Sequence, residues 1–274
     1  MNDTGPDATF VMGLHGLLDR HPWFGRASAE FDLDEDVFSL AVKRAAAYGW
    51  SSTALTDEPA DNLWDHNDAD GDWTQDGQVR QLAWLHSTLP RPVPVPGRSP
   101  RARRLPVLPA VTVLSDALRR VGTVRLTGTH ALVPLHRAGD ARVELAEAAD
   151  WFALADPSGA ASLTVTVSAP APANLAARAE EIREAALERT YKHMAVERLE
   201  PADTETAGLA RPLAGLAQAE GLRRALAYRC EVREWSTDVA AWTTEVFVDS
   251  VRAVTGLSGP TLVTVSSKVP PASS

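Results

Sequence analysis

Short apolar runs, which alternate with polar residues in the clearest cases, predict strands along the chain. In one run Leu163, Val165 and Val167 alternate with Ser and Thr, which is the pattern of a strand with one buried and one solvated face. Two other runs flank Gly128 and predict a β-hairpin. The predicted strands are Thr9–Leu14, Val121–Thr127, His130–Leu135, Ser162–Ser168, 227–235 and Thr261–Ser267.

Apolar residues spaced three or four positions apart predict helices between these strands. The first helix begins at Asp34 or Asp36, whose carboxylate caps it, and Gly49 ends it. The last helix is capped by Ser236 and ends at Gly256. The predicted helices are 34–48, Gln78–His86, Leu175–Arg198 and 236–256.

This order of elements predicts an α+β fold, with a mixed sheet, helices packed on one face of that sheet, and a smaller acidic N-terminal part. If the strands at 227–235 and Thr261–Ser267 are parallel, the helix between them makes a right-handed crossover. The sequence shows no internal repeat of fixed period. The fold prediction therefore depends on the pattern of single elements.

Charge divides the chain into three zones. Residues 1–76 contain 16 acidic and 4 basic residues, residues 77–115 contain 6 basic residues and no acid, and residues 116–274 contain 20 acidic and 17 basic residues. Closely spaced prolines in the middle zone exclude a regular helix or a central strand there. The predicted parts are an acidic, Trp-rich N-terminal part (1–88), a Pro/Arg-rich connector (89–106) and an α+β C-terminal domain (107–274).

Composition excludes several classes of protein. The chain has 45% hydrophobic and 23% charged residues, which is typical of a globular protein. Its net charge of −9 disfavours a nucleic-acid partner, because phosphate binding depends on Lys and Arg. No apolar stretch predicts a membrane span or a secretion signal, and the single Cys230 suits a reducing compartment. We expect a cytoplasmic protein, and its many alanines and few lysines indicate a high-GC bacterium.

An Asp-rich segment, 65–76, is a candidate cation site. Its Asp68, Asp70 and Gly71 resemble the third, fifth and sixth positions of an EF-hand calcium loop, in which oxygen ligands converge on a tight turn. His66 and Gly77 stand where that loop needs an acid and a bidentate Glu. The alternative is a solvated turn whose carboxylates bond their own backbone. The candidate ligands for calcium or magnesium are Asp68, Asp70 and Asp72.

Tryptophan is the second candidate feature. Four of the eight tryptophans lie within 35 residues, and two of them fall in the acidic loop predicted at 57–76. Clustered indoles are typical of protein interfaces, although they also cap cores or form small-molecule pockets. The Arg cluster of the connector either contacts a partner or, as we favour, folds back on the acidic part. The predicted partner-binding residues are Trp64, Trp73, Arg101, Arg103 and Arg104.

Catalytic residues stay unassigned. His15 and His21 flank Asp19, so a His/Asp pair for proton transfer is one interpretation, and solvated histidines are the other. Gly256-Leu-Ser-Gly is one residue short of a nucleophile elbow, and the sequence holds no phosphate-binding loop.

These observations favour a non-catalytic cytoplasmic assembly or adaptor protein that binds a protein partner through Trp-bearing surfaces. The alternative is a small-molecule enzyme with a cleft between the two parts, assisted by a metal at the Asp-rich loop. A homo-oligomer is compatible with both hypotheses. The adaptor hypothesis requires that the clustered indoles are exposed and that the sheet does not run through both parts.

Overall fold

The structure is a computed structural model, and it describes residues 8–31, 35–51, 63–90, 104–170, 174–200 and 221–267. Its strands are β1 (Thr9–Arg20), β2 (Asp65–Asp70), β3 (Arg80–Thr88), β4 (Gly122–Pro134), β5 (Ala161–Pro170), β6 (Ala195–Arg198), β7 (Leu222–Val232) and β8 (Pro260–Ser267). Its helices are α1 (Pro22–Phe31), α2 (Val37–Ala47), α3 (Val107–Val121), α4 (Arg142–Phe152), α5 (Ala179–Arg189) and α6 (Thr237–Thr255). Short 3₁₀ turns lie at Leu135–Arg137 and Leu175–Arg178.

The described strands form one eight-stranded sheet in the order β2-β3-β1-β4-β8-β5-β7-β6. Helices pack on one face of this sheet, so the predicted α+β class is confirmed. Every described pair of neighbouring strands is antiparallel, and the sheet is therefore not mixed in the sense that we predicted. The strands β7 and β8 run parallel to each other, but β5 lies between them and pairs with both.

The sheet consists of two units with the same topology. The first unit runs β1, α1 and α2, β2, β3, α3, β4, and the second runs β5, α5, β6, β7, α6, β8. In space the first unit is ordered β2-β3-β1-β4 and the second β6-β7-β5-β8, which is the split β-α-β arrangement in both. The two units meet where β4 pairs with β8 and α3 contacts α6. The repeat lies in the topology, and α4 belongs to neither unit.

The predicted division of the chain at residues 89–106 is not a division of the sheet. The strands β1 and β3, from the N-terminal part, continue directly into β4 through the β1–β4 pairing. Residues 91–103 of the connector lie outside the described residues. The described N-terminal residues therefore complete the first unit of the duplicated fold.

The core lies between the sheet and the helices. On β1 the side chains of Phe10, Met12 and Leu14 face this core, and burial makes their contribution mainly hydrophobic. The helices α2, α3 and α6 contact the strands, whereas α4 packs on α5 and α6. One side of α4 is therefore left without a neighbouring helix among the described residues.

Capping explains where two helices begin. Asp36 accepts a hydrogen bond from Ser39 N at 2.7 Å, and the Asp36 backbone N–H donates to Ser39 Oγ at 3.1 Å. This capping box starts α2 as predicted. Asp34, the alternative cap, lies outside the described residues. Ser236 accepts from Val239 N and starts α6, and Gly256 ends α6 at a positive φ of 61°.

Three element predictions are wrong. Within the helix predicted at Gln78–His86, residues 80–86 form most of β3, because this segment pairs with β1 on one side and β2 on the other. Gly128 does not turn the chain: it lies within β4, opposite His15 on β1 and Ser266 on β8. The helix predicted to reach Arg198 ends at Arg189, after which Tyr191 and Lys192 take positive φ and the chain enters β6.

Candidate partner-binding surface

The inner side of α4 anchors this helix to the helical layer. Leu145, Ala149 and Phe152 are buried and repeat at the spacing of one helix face. The Phe152 ring lies 4.9 Å from the ring of Trp242 on α6, centroid to centroid. These contacts fix the orientation of α4 and therefore determine which residues face solvent.

The outer side of α4 carries large apolar side chains that are exposed. Val143 is 69% exposed, Trp151 is 65% exposed, and Leu154, just after the helix, is 78% exposed. They alternate with the exposed Glu147 and Asp150, and the spacing of 4, 3, 1 and 3 residues places all five on one face. We call this surface the α4 ridge: Val143, Glu147, Asp150, Trp151 and Leu154.

The segment around the α4 ridge is acidic. Residues 140–156 contain five carboxylates and one guanidinium, that of Arg142. Arg142 forms a salt bridge with Asp140 at 2.8 Å. The hydrogen bonds that the Arg142 side chain and backbone donate to Asp140 lower the pKa of this carboxyl to about 2. Hydrogen bonds from Ser158 also lower the pKa of Asp156. The α4 ridge therefore presents an apolar stripe with negative charge at neutral pH.

The predicted anchors Trp64 and Trp73 do not form a surface. Trp64 is 0% exposed, and its Nε1 donates a hydrogen bond to His66 Nε2 at 3.2 Å. Trp73 is partly buried against the core, and its Nε1 donates to the Leu82 carbonyl at 3.0 Å. Its ring also lies edge-on to Phe24 at 5.9 Å. Both indoles are packed between the first sheet unit and its helices, so the prediction that they anchor a partner needs correction.

The predicted arginines are not brought to a common surface either. Arg101 and Arg103 lie outside the described residues. Arg104 forms a salt bridge with Glu245, a buried side chain of α6. Burial raises the pKa of Glu245, and the Arg104 charge opposes that shift. Arg104 is thus used inside the protein, as a partner for a buried acid.

The Asp-rich segment is divided between a strand and a turn. Asp68 and Asp70 lie on β2, and each accepts a hydrogen bond from the backbone N–H of the following residue. Asp72 accepts from Thr74 N at 2.9 Å and pairs with Arg80 at 3.1 Å. Across the described ranges, no three His, Cys, Asp or Glu side chains are grouped as a metal site. The predicted calcium or magnesium ligands therefore do not converge, since β2 extends the chain where the loop would have to turn.

The structure pairs two histidines that the sequence placed apart. His15 Nε2 and His130 Nδ1 are 2.9 Å apart on β1 and β4, and both side chains are buried. The His130 ring occupies the space above Gly13, where an added Cβ would lie 2.1 Å from it. Burial lowers the pKa of His15 to about 4 and lowers that of His130 well below its ordinary value. The structure supports neither interpretation of His15, because it pairs with His130 inside the sheet, whereas Asp19 accepts from Gln75.

The enzymatic alternative requires a cleft between the two parts with a metal at the Asp-rich loop. The N-terminal part and the C-terminal domain share one sheet through the β1–β4 pairing. Residues of both parts line a groove between α1, α2 and α3, but none of the predicted metal ligands lines it. In the described ranges no helix combines the length and apolar character needed to cross a bilayer.

The α4 ridge was not predicted, although the sequence holds a signal for it. The short segment 142–154 carries one apolar set at Leu145, Ala149 and Phe152 and a second set on the opposite side. A solvated helix needs only one apolar face to pack, so a second face indicates another contact.

Comparisons with protein-family models, with curated proteins and with solved structures give no match to this chain.

Proposed function

We propose that the protein is a non-catalytic assembly or adaptor protein whose α4 ridge, rather than the clustered indoles, binds a protein partner. The continuous sheet and the buried Trp64 exclude the form of the adaptor hypothesis in which those indoles anchor the partner. The exposure of Trp151 and Leu154 on an otherwise well-anchored helix is the observation that supports this function. Trp residues are enriched among the side chains that dominate binding energy at protein interfaces, and large exposed apolar groups in a stripe mark contact surfaces.

The charge of the α4 ridge defines the chemistry of the partner. Glu147 and Asp150 stand between the apolar side chains, and the surrounding segment carries a net charge of −4. We infer that the partner surface is apolar with Lys or Arg at its rim, because complementary charge steers association and excludes partners of like charge. The Tyr191 hydroxyl donates to the Arg142 carbonyl at 3.4 Å, so this 45% exposed residue lies beside the start of α4.

The independence of α4 from both sheet units supports an assembly role. Neither unit needs α4 to complete its sheet, and the main contacts of this helix are with α5 and α6. A partner on the α4 ridge would therefore leave the duplicated core undisturbed. A cytoplasmic location is part of the proposal, supported by a single cysteine, Cys230, which is buried and whose pKa is raised by burial.

Site-specific photo-crosslinking of the full chain in cells of its source organism tests this function. A benzophenone amino acid replaces Leu154, and we expect a defined protein adduct that is reduced at least tenfold when Trp151→Ala is added. The matched control carries the same probe at the exposed Arg229 on β7. Equal adducts at both positions, or none at position 154, would contradict the proposal.

A further inference from the structure

A groove lies between α1, α2 and α3 on the first unit. It encloses about 700 Å³, within the range of natural binding sites. Its apolar wall includes Trp23, Phe24 and Leu40, and Trp23 is 48% exposed. Trp23 stacks on His21 at 5.4 Å and meets Phe24 edge-on at 6.1 Å, so the exposed indole is held in place. We call this the α1–α3 groove.

The rim of the α1–α3 groove is basic. Four cations line it, against the two acids Glu35 and Asp116. Both acids are already paired: Glu35 with Lys43, and Asp116 with Arg44 at 2.7 Å and with Arg119 at 3.2 Å. Arg44 also lies 4.1 Å from the centroid of the Tyr48 ring, which fixes one edge of the groove. The four cations are Lys43, Arg44, Arg119 and Arg120.

Two of these cations are exposed to a ligand. Arg119 shares Asp116 with Arg44, and its side chain is 67% exposed. Arg120 is exposed and forms no ion pair with any residue that the structure describes. Both lie in the last turn of α3, where the helix dipole favours positive charge without needing an acidic neighbour. An occupant of the groove should therefore combine large apolar side chains with carboxylates.

The α4 ridge has this composition. It offers Trp151 and Leu154 as apolar side chains and Glu147 and Asp150 as carboxylates, on a convex helix. We infer that the α4 ridge of one copy of the chain binds in the α1–α3 groove of a second copy. This inference rests on the proposed function, because it identifies the partner of the same surface.

The contact is expected to be head-to-tail. Within one copy α4 is fixed on α5 and α6, whereas the groove belongs to helices of the first unit. The ridge and the groove of one copy therefore contact two different copies. A heterologous contact of this kind closes into a ring or continues as an open chain. One helix face in one groove buries a small area, so we expect weak association, with a Kd on the order of 10–100 µM.

Sedimentation velocity on the full chain tests the inference. Between about 5 and 300 µM in low salt, the mass should rise from 29.4 kDa to that of two copies or more. Raising the salt to about 0.5 M should shift the association to at least fivefold higher concentration, because screening weakens the contact between exposed charges.

Two variants identify the surfaces. The groove variant is Arg119→Glu with Arg120→Glu, and the ridge variant is Trp151→Ala with Leu154→Ser. Each should be monomeric alone, while an equal mixture should form only a heterodimer, since one intact ridge meets one intact groove. A charge-matched control, Arg223→Glu with Arg229→Glu on β7, should associate like the parent chain. Thermal melts confirm that each variant is folded.

Other outcomes overturn the inference. A parent chain that is monomeric at 300 µM, or a groove variant that associates as well as the parent, excludes the contact; the second result would indicate ridge-to-ridge pairing. A mixture that stays monomeric excludes it as well. If the chain is monomeric while position 154 still crosslinks to a different protein, the proposed function stands and the inference alone fails.

Discussion

Two Trp-bearing regions of the molecule behave in opposite ways. Between residues 50 and 84 four tryptophans are close together in sequence, and the structure leaves none of them exposed. Trp151 has no tryptophan within 60 residues on either side and is 65% exposed. The difference lies in the elements that carry them. Density of aromatic residues along the chain therefore says little about a binding surface.

Packing explains the contrast. Trp50 and Trp64 have ring centroids 6.3 Å apart, and Trp73 lies edge-on to Phe24, so these rings seal the first unit beside α2 and β3. On α4 the core already receives Leu145, Ala149 and Phe152. Trp151 precedes Phe152 by one residue and must point away from the core, because adjacent residues on a helix are about 100° apart.

The largest expected effect is at Trp64. Trp64→Ala removes a fully buried indole and leaves a cavity, so we expect it to lower the free energy of unfolding by about 3–5 kcal/mol. Urea denaturation followed by circular dichroism measures this change. A loss below about 1 kcal/mol would mean that the interior of the first unit is not packed as described.

Acid should destabilise the same unit through its buried histidines. In the unfolded chain His15 titrates near 6.5, but in the fold its pKa is about 4, and that of His130 is also lowered. At pH values between the folded and the unfolded pKa, the unfolded state binds more protons than the folded state. The free energy of unfolding is therefore highest above pH 6.5 and falls as the pH drops, by up to about 1.4 kcal/mol per pH unit for each histidine. Urea midpoints between pH 7 and 5 measure the slope.

The matched variants separate this effect from general acid sensitivity. His15→Gln should flatten the slope, whereas His136→Gln, at an exposed position, should leave it unchanged. An equal slope in all three proteins would place the titrating groups elsewhere.

The smallest expected effect on stability is at Trp151. Trp151→Ala removes an exposed side chain and should change the free energy of unfolding by no more than about 0.5 kcal/mol. Urea denaturation beside Trp64→Ala gives the direct comparison. A loss of several kcal/mol would show that Trp151 serves packing rather than binding.

Local signals predicted much of the fold. The caps at Asp36 and Ser236 and the stop at Gly256 act within a few residues, and the structure retains all three. The alternation around Val165 likewise predicts β5, because side chains of a strand alternate between its two faces. These elements depend on contacts that the local sequence already defines.

Pairing between strands that are distant in sequence explains the element predictions that were wrong. Residues 78–86 have helical spacing, yet hydrogen bonds to two neighbouring strands make residues 80–86 a strand. Gly128 looks like a turn residue but is paired on both sides. The helix α3 was not predicted, although the apolar stripe from Val107 to Val121 indicates it. This segment directly follows the proline-rich connector, which drew attention away from its helical spacing. Long-range contacts also determine the candidate site, because the exposure of Trp151 depends on how α4 packs on the rest of the protein.

The short outer strands have a consequence for how copies meet. Among the described residues the sheet ends at β2, six residues with three aspartates, and at β6, four residues that include Glu197 and Arg198. Brief, charged borders of this kind resist the addition of a foreign strand and so suppress fibril-like growth. Because neither edge strand favours main-chain pairing between copies, contacts between copies depend on side chains, and single substitutions can change these contacts.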